Sequence, residues 1–354
     1  MSEIAATVEE ITAIIMHPNA DRLEIAKILG TQVCVQKNRL KAGDKVVYFP
    51  PDLLLPLDVS NDLGVTQYLR TAEFDGVKIP CRVGATRLRG VPSFGFVAKD
   101  KCCNLPVGTE VSDLFRARKY EPPQRPRMQG DLAPDHPAFH VYTDIQHYWK
   151  YPTAIPEGMW VRVTEKIHGT NSRVGVIEVN GEWQFMAGSH KTNRKEYDVH
   201  GRLSLYWKPL WMARVLRILN ELCDENRNVV IFGEIFGQGV QDLDYGVKQG
   251  QTDYRIFDIS VDGSYVSWPH LKNLCDVSDR VPVLYEGPFY PGLVEELVDG
   301  PTVVSDSVRS SFKGREGIVI TPQLETHSDV LGGRLILKAV SADYLSRKNA
   351  EDNE

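Results

Sequence analysis

Through most of this chain apolar and polar residues alternate in short runs, the period of strands that bury one face. Early on, "TQVCVQ" alternates, "KAGDKVVYFPP" sets a Gly-Asp turn before an apolar run, and "RLRGVPSFGFVAK" scatters Gly and Pro among β-formers. Many short strands at this spacing predict a small all-β barrel over residues 1–115. Residues 116–150 change character. "RARKYEPPQRPRMQGDLAPDHPAF" is rich in Pro, Arg and Asp without a period, and predicts a linker stiffened by its prolines. Over residues 151–354 strand-like runs return in "NVVIFGEIFG", "YRIFDISVDGSYVSW", "REGIVIT" and "RLILKAVS". Asn180-Gly181 suits a type I′ turn between two β-rich runs. "YWKPLWMARVLRILNELC" places Trp211, Val215, Leu219 and Leu222 at helical spacing. The expected class is α+β: antiparallel sheets with flanking helices, preceded by the all-β barrel.

A length of 354 residues supports two domains. No apolar run is long enough to span a bilayer, and the acidic start lacks the layout of a secretory signal. Six scattered cysteines without a Cys-x-x-Cys pair read as reduced thiols of a soluble cytoplasmic protein, expected to be a monomer. The net charge of −6 gives no global attraction to nucleic acid, so any phosphate-binding surface must be a local basic groove.

The informative residues are charges that interrupt apolar β-runs, because an unpaired buried charge is costly. They are Lys166 in "TEKIHGTN", Glu234 in "VVIFGEIFG", Asp258 in "YRIFDIS", Glu316 in "REGIVIT" and Lys338 in "RLILKAVS". A single strand charge most often points to solvent; five in this order resemble the covalent nucleotidyltransferase superfamily of ATP-dependent ligases and mRNA capping enzymes. The family's Lys-x-Asp-Gly motif reads Lys166-Ile167-His168-Gly169, and the later motifs match at "IFGEIFG", "YRIFDIS", "EGIVI" and "LILKAV". Histidine in the third position, followed by Thr170-Asn171, is similar to RNA ligases that seal nicks in duplexes.

The chemistry suits those residue types. A 5′-phosphate is a poor electrophile, and passage through enzyme-bound AMP splits one hard step into easier ones. The resemblance implies that Lys166 attacks the α-phosphorus of ATP with Mg2+ or Mn2+ present, gives lysyl-AMP, and passes AMP to the 5′ end of a nick. A lysine attacks only when unprotonated. Desolvation, the cations Lys338 and Lys191, and a bound metal would bring its pKa toward neutrality. By resemblance, Gly169 lets the backbone approach phosphate, Glu234 accepts a ribose hydroxyl, Phe257 stacks on adenine and Glu165 reads its edge. Glu316 organises the metal, Lys338 contacts the α-phosphate, and Asn171 assists at the nick.

Two departures stand out. The fifth motif usually carries lysines two apart, whereas this chain has Ile336 and Lys338, so one phosphate contact is missing or is supplied by Arg334 or another residue. In "GSHKTNRK", Ser189 and Lys191 fit the motif after the nucleophile, while the parts of Arg194 and Lys195 stay open. The remaining histidines form no ligand set. "MHPNADRLEIAKI" and "RLRGVPSFGF" resemble an OB-type nucleic-acid-binding domain, with Arg22, Lys37, Arg39, Arg87 and Arg89 as candidate contacts. With only ten residues after Tyr344, an OB domain before the catalytic one favours the RNA ligase branch. The expected activity is therefore RNA repair, on nicked duplex RNA or RNA–DNA hybrid. A GTP-using capping guanylyltransferase and a decayed RNA-binding protein are the alternatives.

Overall fold

The computed structural model describes residues 4–74, 77–120, 131–223, 226–237 and 239–347. Part of the stretch read as a linker, 121–130, thus lies outside the described residues. The chain divides into two compact units, 1–124 with 146–150 and 342–354, and 125–145 with 151–341.

Short antiparallel strands build the first unit. Lys45–Phe49 lies between Thr7–Glu10 and Phe96–Ala98, and Leu23–Ile28 between Ala13–Met16 and Thr31–Gln36. Alternation in Lys45–Phe49 explains why two cores form: Val47 and Phe49 enter one cluster with Ala6 and Val8, Val46 and Tyr48 the other with Ala26 and Ile28. His17 is buried here as a structural group. Its Nδ1 accepts from the Asn19 amide, and its Nε2 lies 3.0 Å from the Leu88 carbonyl.

The second unit holds two facing antiparallel sheets. Their strands are β1 (Trp160–Lys166), β2 (Thr170–Val179), β3 (Glu182–Ser189), β4 (Asn193–Arg194), β5 (Val229–Phe236), β6 (Asp253–Val261), β7 (Ser264–Tyr265), β8 (Val283–Pro288), β9 (Gly317–Pro322) and β10 (Leu337–Val340). One sheet runs β10–β9–β1–β8 and the other β4–β3–β2–β5–β6–β7. The β2–β3 hairpin turns on Asn180 and Gly181, with φ of 54° and 86°, as type I′ requires. Every residue of β5 is buried because both faces are covered. Val229, Ile231 and Ile235 pack with Val215, Ile218 and Leu219 of α1 (Ala213–Cys223), while Val230 and Phe232 meet Ile336 and Val319 from the other sheet.

The helix starts later than the apolar spacing predicts. Pro209 sits in a short 3-10 turn ahead of it, and Trp211 is left 48% exposed instead of lying on the helix face. Residues 131–145, within the stretch read as a linker, run as a strap against the larger sheet. The Ala133 amide donates to Asn193 O, Arg173 Nη1 donates to Phe139 O, and Phe139 and Tyr142 enter the core between the sheets. Among the described residues no helix is long and apolar enough to cross a membrane.

Candidate active site

Lys166 is the last residue of β1, and its register defines the site. Across the smaller sheet it pairs with Gly317 and, beyond that, Val340; the next row on the same face is Thr164, Val319 and Lys338. Residues directly opposite in antiparallel strands point to one face, so Lys166 and Lys338 share it. In the larger sheet Asn171 pairs with Glu234, and both lie on the face that carries Phe232 and Ile177. Because Phe232 packs with Ile336 and Val319, the two faces oppose each other. The four residues line one inter-sheet cleft.

Lys166 Nζ donates to Glu316 Oε1 at 2.9 Å, with the two side chains only 7% and 4% exposed. His168 follows closely: its Nδ1 lies 3.8 Å from Glu316 Oε2 and its Nε2 3.0 Å from Asp242 Oδ1. The His168 amide donates to Tyr245 Oη at 2.7 Å. Burial, reinforced by the Glu316 carboxylate, holds the Tyr245 phenol well above its ordinary pKa, so it stays protonated. Gly169 abuts β5 so tightly that a Cβ there would lie 2.2 Å from Ile235 O. Ile167 is buried beneath this turn.

Glu165 points the other way, as alternation demands. Thr302 Oγ1 donates to its Oε1 at 2.5 Å and the Val303 amide to its Oε2 at 2.7 Å. Burial pushes its carboxyl above the usual range, against those bonds and the pull of Arg315.

Around Phe257 the same inter-sheet region is aromatic and ionic. Between Phe232 and Gly233 the β5–β6 register slips by one residue, so Phe257 sits on a bulge. Its neighbour Asp258 is fully buried and binds Arg334 Nη1 at 2.6 Å, with Arg162 Nη2 at 3.8 Å. Arg334 also pairs with Glu325 and covers the Tyr265 ring at 3.9 Å. Its guanidinium is committed inside the fold, so it does not replace the missing motif lysine. Ile336, at that lysine's position, is core. Of the basic trio after β3, Lys191 and Lys195 are exposed, whereas Arg194 is buried with its guanidinium 5.5 Å from the Tyr206 ring. In the first unit Arg22, Lys37, Arg39, Arg87 and Arg89 are all exposed. The Lys37 amide donates to Arg22 O, and Arg87 pairs with Asp343.

Among the described residues no cluster of three His, Cys, Asp or Glu side chains makes a metal cage. The buried carboxylate of Glu316, beside Lys166, does fit an ion held mainly by phosphate oxygens and water. Sequence reasoning missed Tyr245, Asp242, Tyr142 and Arg162. The first two lie in the turn-rich "QDLDYG", which carries no period; Arg162 was visible as a charge inside an apolar strand.

Comparison with known proteins agrees with this architecture. A family model for RNA ligase matches residues 160–340, and one for an OB-fold domain matches residues 5–99. No curated protein matches the chain. Among solved structures, Naegleria gruberi RNA ligase with pyrophosphate is similar at 22% identity, covering 99% of this chain and 100% of that one, with a TM-score of 0.72. Mutants of the same ligase with ATP and manganese, and with AMP and manganese, each give 21% identity, 99% and 100% coverage and a TM-score of 0.74. These structures share the fold. The RNA ligase model, in turn, spans just over half of the sequence and includes Lys166, Glu234, Glu316 and Lys338. The chain belongs to the RNA ligase family.

Proposed function

We propose that this chain is an ATP-dependent RNA ligase that joins 3′-hydroxyl to 5′-phosphate ends at nicks in duplex RNA or RNA–DNA hybrids, acting in RNA repair as a cytoplasmic monomer. The observation that carries the reading is the Lys166 amine, buried at a strand end beside Glu316 and on the same face as Lys338. Lys166 Nζ attacks the α-phosphorus of ATP; the N–P bond forms, the bridging P–O bond breaks, and pyrophosphate leaves. A 5′-phosphate oxygen then displaces the lysine and takes the AMP. The 3′-hydroxyl finally attacks that phosphate and expels AMP, closing the phosphodiester.

Lys338, only 1% exposed, meets the α-phosphate in this reading, and Glu234 accepts a ribose hydroxyl. Phe257 stacks on the base. Asn171, paired with Glu234, faces the nick. Lys191, exposed at the tip of its turn, meets the outer phosphates. Glu316 would hold Mg2+ or Mn2+ together with phosphate oxygens, and the ion would offset their charge. Residues 1–115 grip nucleic acid, with Arg22, Lys37 and Arg39 on phosphates.

Protein stripped of bound AMP and mixed with labelled ATP and magnesium gains a covalent label, and Lys166→Ala abolishes it. No label on the wild-type chain, or label from GTP alone, overturns the proposal. Sealing assays on nicks with ribose or deoxyribose on each side then define the substrate.

A further inference from the structure

We infer that Tyr142, carried in by the strap, is a positioning residue that sets the Phe257 ring for nucleotide binding; this rests on the reading of Phe257 as the ring that stacks on the base. Phe257 sits on a bulge, where it lacks a cross-strand partner on β5 to fix it. Its attitude must come from neighbours. The Tyr142 ring meets it edge-on, at 4.9 Å between centroids and 66° between planes. Arg162 Nη2 lies 3.4 Å from the Phe257 carbonyl.

The hydroxyl of Tyr142 is equally constrained. It donates to Asp258 Oδ2 at 2.8 Å and accepts from Arg334 Nη1 at 3.0 Å. Asp258 follows Phe257 directly in the chain, so the tyrosine holds the bulge through its ring on one residue and its hydroxyl on the next. The strap itself is anchored on either side of Tyr142: His140 Nε2 lies 2.8 Å from Ser260 Oγ, and the Thr143 amide donates to Tyr265 Oη. A side chain that only filled space would need neither the hydroxyl bonds nor this edge-on contact with the one ring assigned to the base. Loss of such a contact frees Phe257 to adopt orientations that do not stack.

The test is equilibrium binding of magnesium-ATP, measured by calorimetry on the full chain in a Lys166→Ala background, which separates binding from reaction. Tyr142→Leu is expected to weaken ATP about 3–10-fold, the range of one aromatic pair. Phe257→Leu weakens it at least as much. The two together do no worse than Phe257→Leu alone, because the tyrosine acts through the phenylalanine. Effects that multiply, or a lowered melting temperature with unchanged ATP affinity, overturn the inference. If Phe257→Leu itself leaves affinity unchanged, it is the stacking role of Phe257 that fails. Should Tyr142→Leu not fold, Tyr142→Phe keeps the ring and removes only the hydroxyl bonds. It is expected to weaken ATP about 2–3-fold, an effect that vanishes in the Phe257→Leu background. Wild-type affinity in Tyr142→Phe overturns the inference.

Discussion

Gly169→Ala places a single methyl at the tightest point of the site. The added Cβ would lie 2.2 Å from Ile235 O, 3.0 Å from Ile235 C and 2.9 Å from Glu234 Cγ. Real Cβ atoms essentially never approach below 3.0 Å, so the turn and β5 must part by about 1 Å. Gly169 has no left-handed φ, which makes the penalty one of contact and not of backbone conformation. Strand β5 is poorly able to retreat: Ile231, Phe232 and Ile235 are buried on opposite faces of a central strand. The turn therefore lifts, and Lys166, three residues away, moves with it. Overpacking of this kind destabilises by about 1–3 kcal/mol, or roughly 2–12 °C in melting temperature for a unit of this size. A displacement near 1 Å at the nucleophile lowers the rate of lysyl-AMP formation on the order of a hundredfold. Single-turnover labelling with ATP measures that rate, and Gly333→Ala is the control, since a Cβ there meets nothing within 4 Å. A Gly169→Ala chain that labels within about twofold of wild type would refute the steric account of this glycine.

Two further predictions follow from the cleft. Ile336→Lys restores the usual spacing of the fifth motif, yet it places an ammonium among Phe139, Tyr142 and Phe232. It is expected to destabilise the fold by roughly 2–4 kcal/mol without faster adenylation, and faster labelling at an unchanged melting temperature counts against this placement. Glu165 has its carboxyl pKa raised by burial, so as pH rises the unfolded chain releases that proton before the folded one does. Its contribution to stability thus falls as pH rises from the ordinary carboxylate range toward the raised value, and Glu165→Gln should flatten the melting-temperature profile on the high-pH side of that range. An identical slope in wild type and variant contradicts the assignment.

What the sequence made legible is what local rules govern. Asn180 and Gly181 specify their turn with no help from the rest of the chain, and the apolar run in "NVVIFGEIFG" reads as a strand, which the structure covers on both sides. Lys166, Glu234, Glu316 and Lys338 were visible because a charge in an apolar strand needs a reason. Helical spacing alone drew Trp211 into the helix, whereas it ends the 3-10 turn that Pro209 opens. That Glu165 and Lys166 face opposite ways follows from alternation before any coordinates are drawn. Tyr142 was not readable. Its hydroxyl binds a carboxylate 116 positions away, from a Pro-rich stretch with no period of its own. Tyr245 likewise meets His168 across 77 positions. Such partners are fixed only when the sheets close.

Register divides the five strand-interrupting charges into two kinds. Asp258 lies inside β6, opposite Phe232 and fully buried; Arg334, Arg162 and Tyr142 meet its carboxylate inside the fold. Lys166 ends β1, Glu316 immediately precedes β9, and Glu234 lies near the end of β5, opposite the start of β2. Lys338 is one same-face row further in. A charge deep in a sheet must be neutralised by the protein, and its loss acts on folding. A charge at a strand end is fixed by the ladder on one side and reachable by a ligand on the other. It can hold a defined position and still exchange its partner, as the proposed adenylation requires of the Lys166–Glu316 pair. On that proposal, position relative to the strand end separates Asp258, which builds the cleft, from the charges that would react in it.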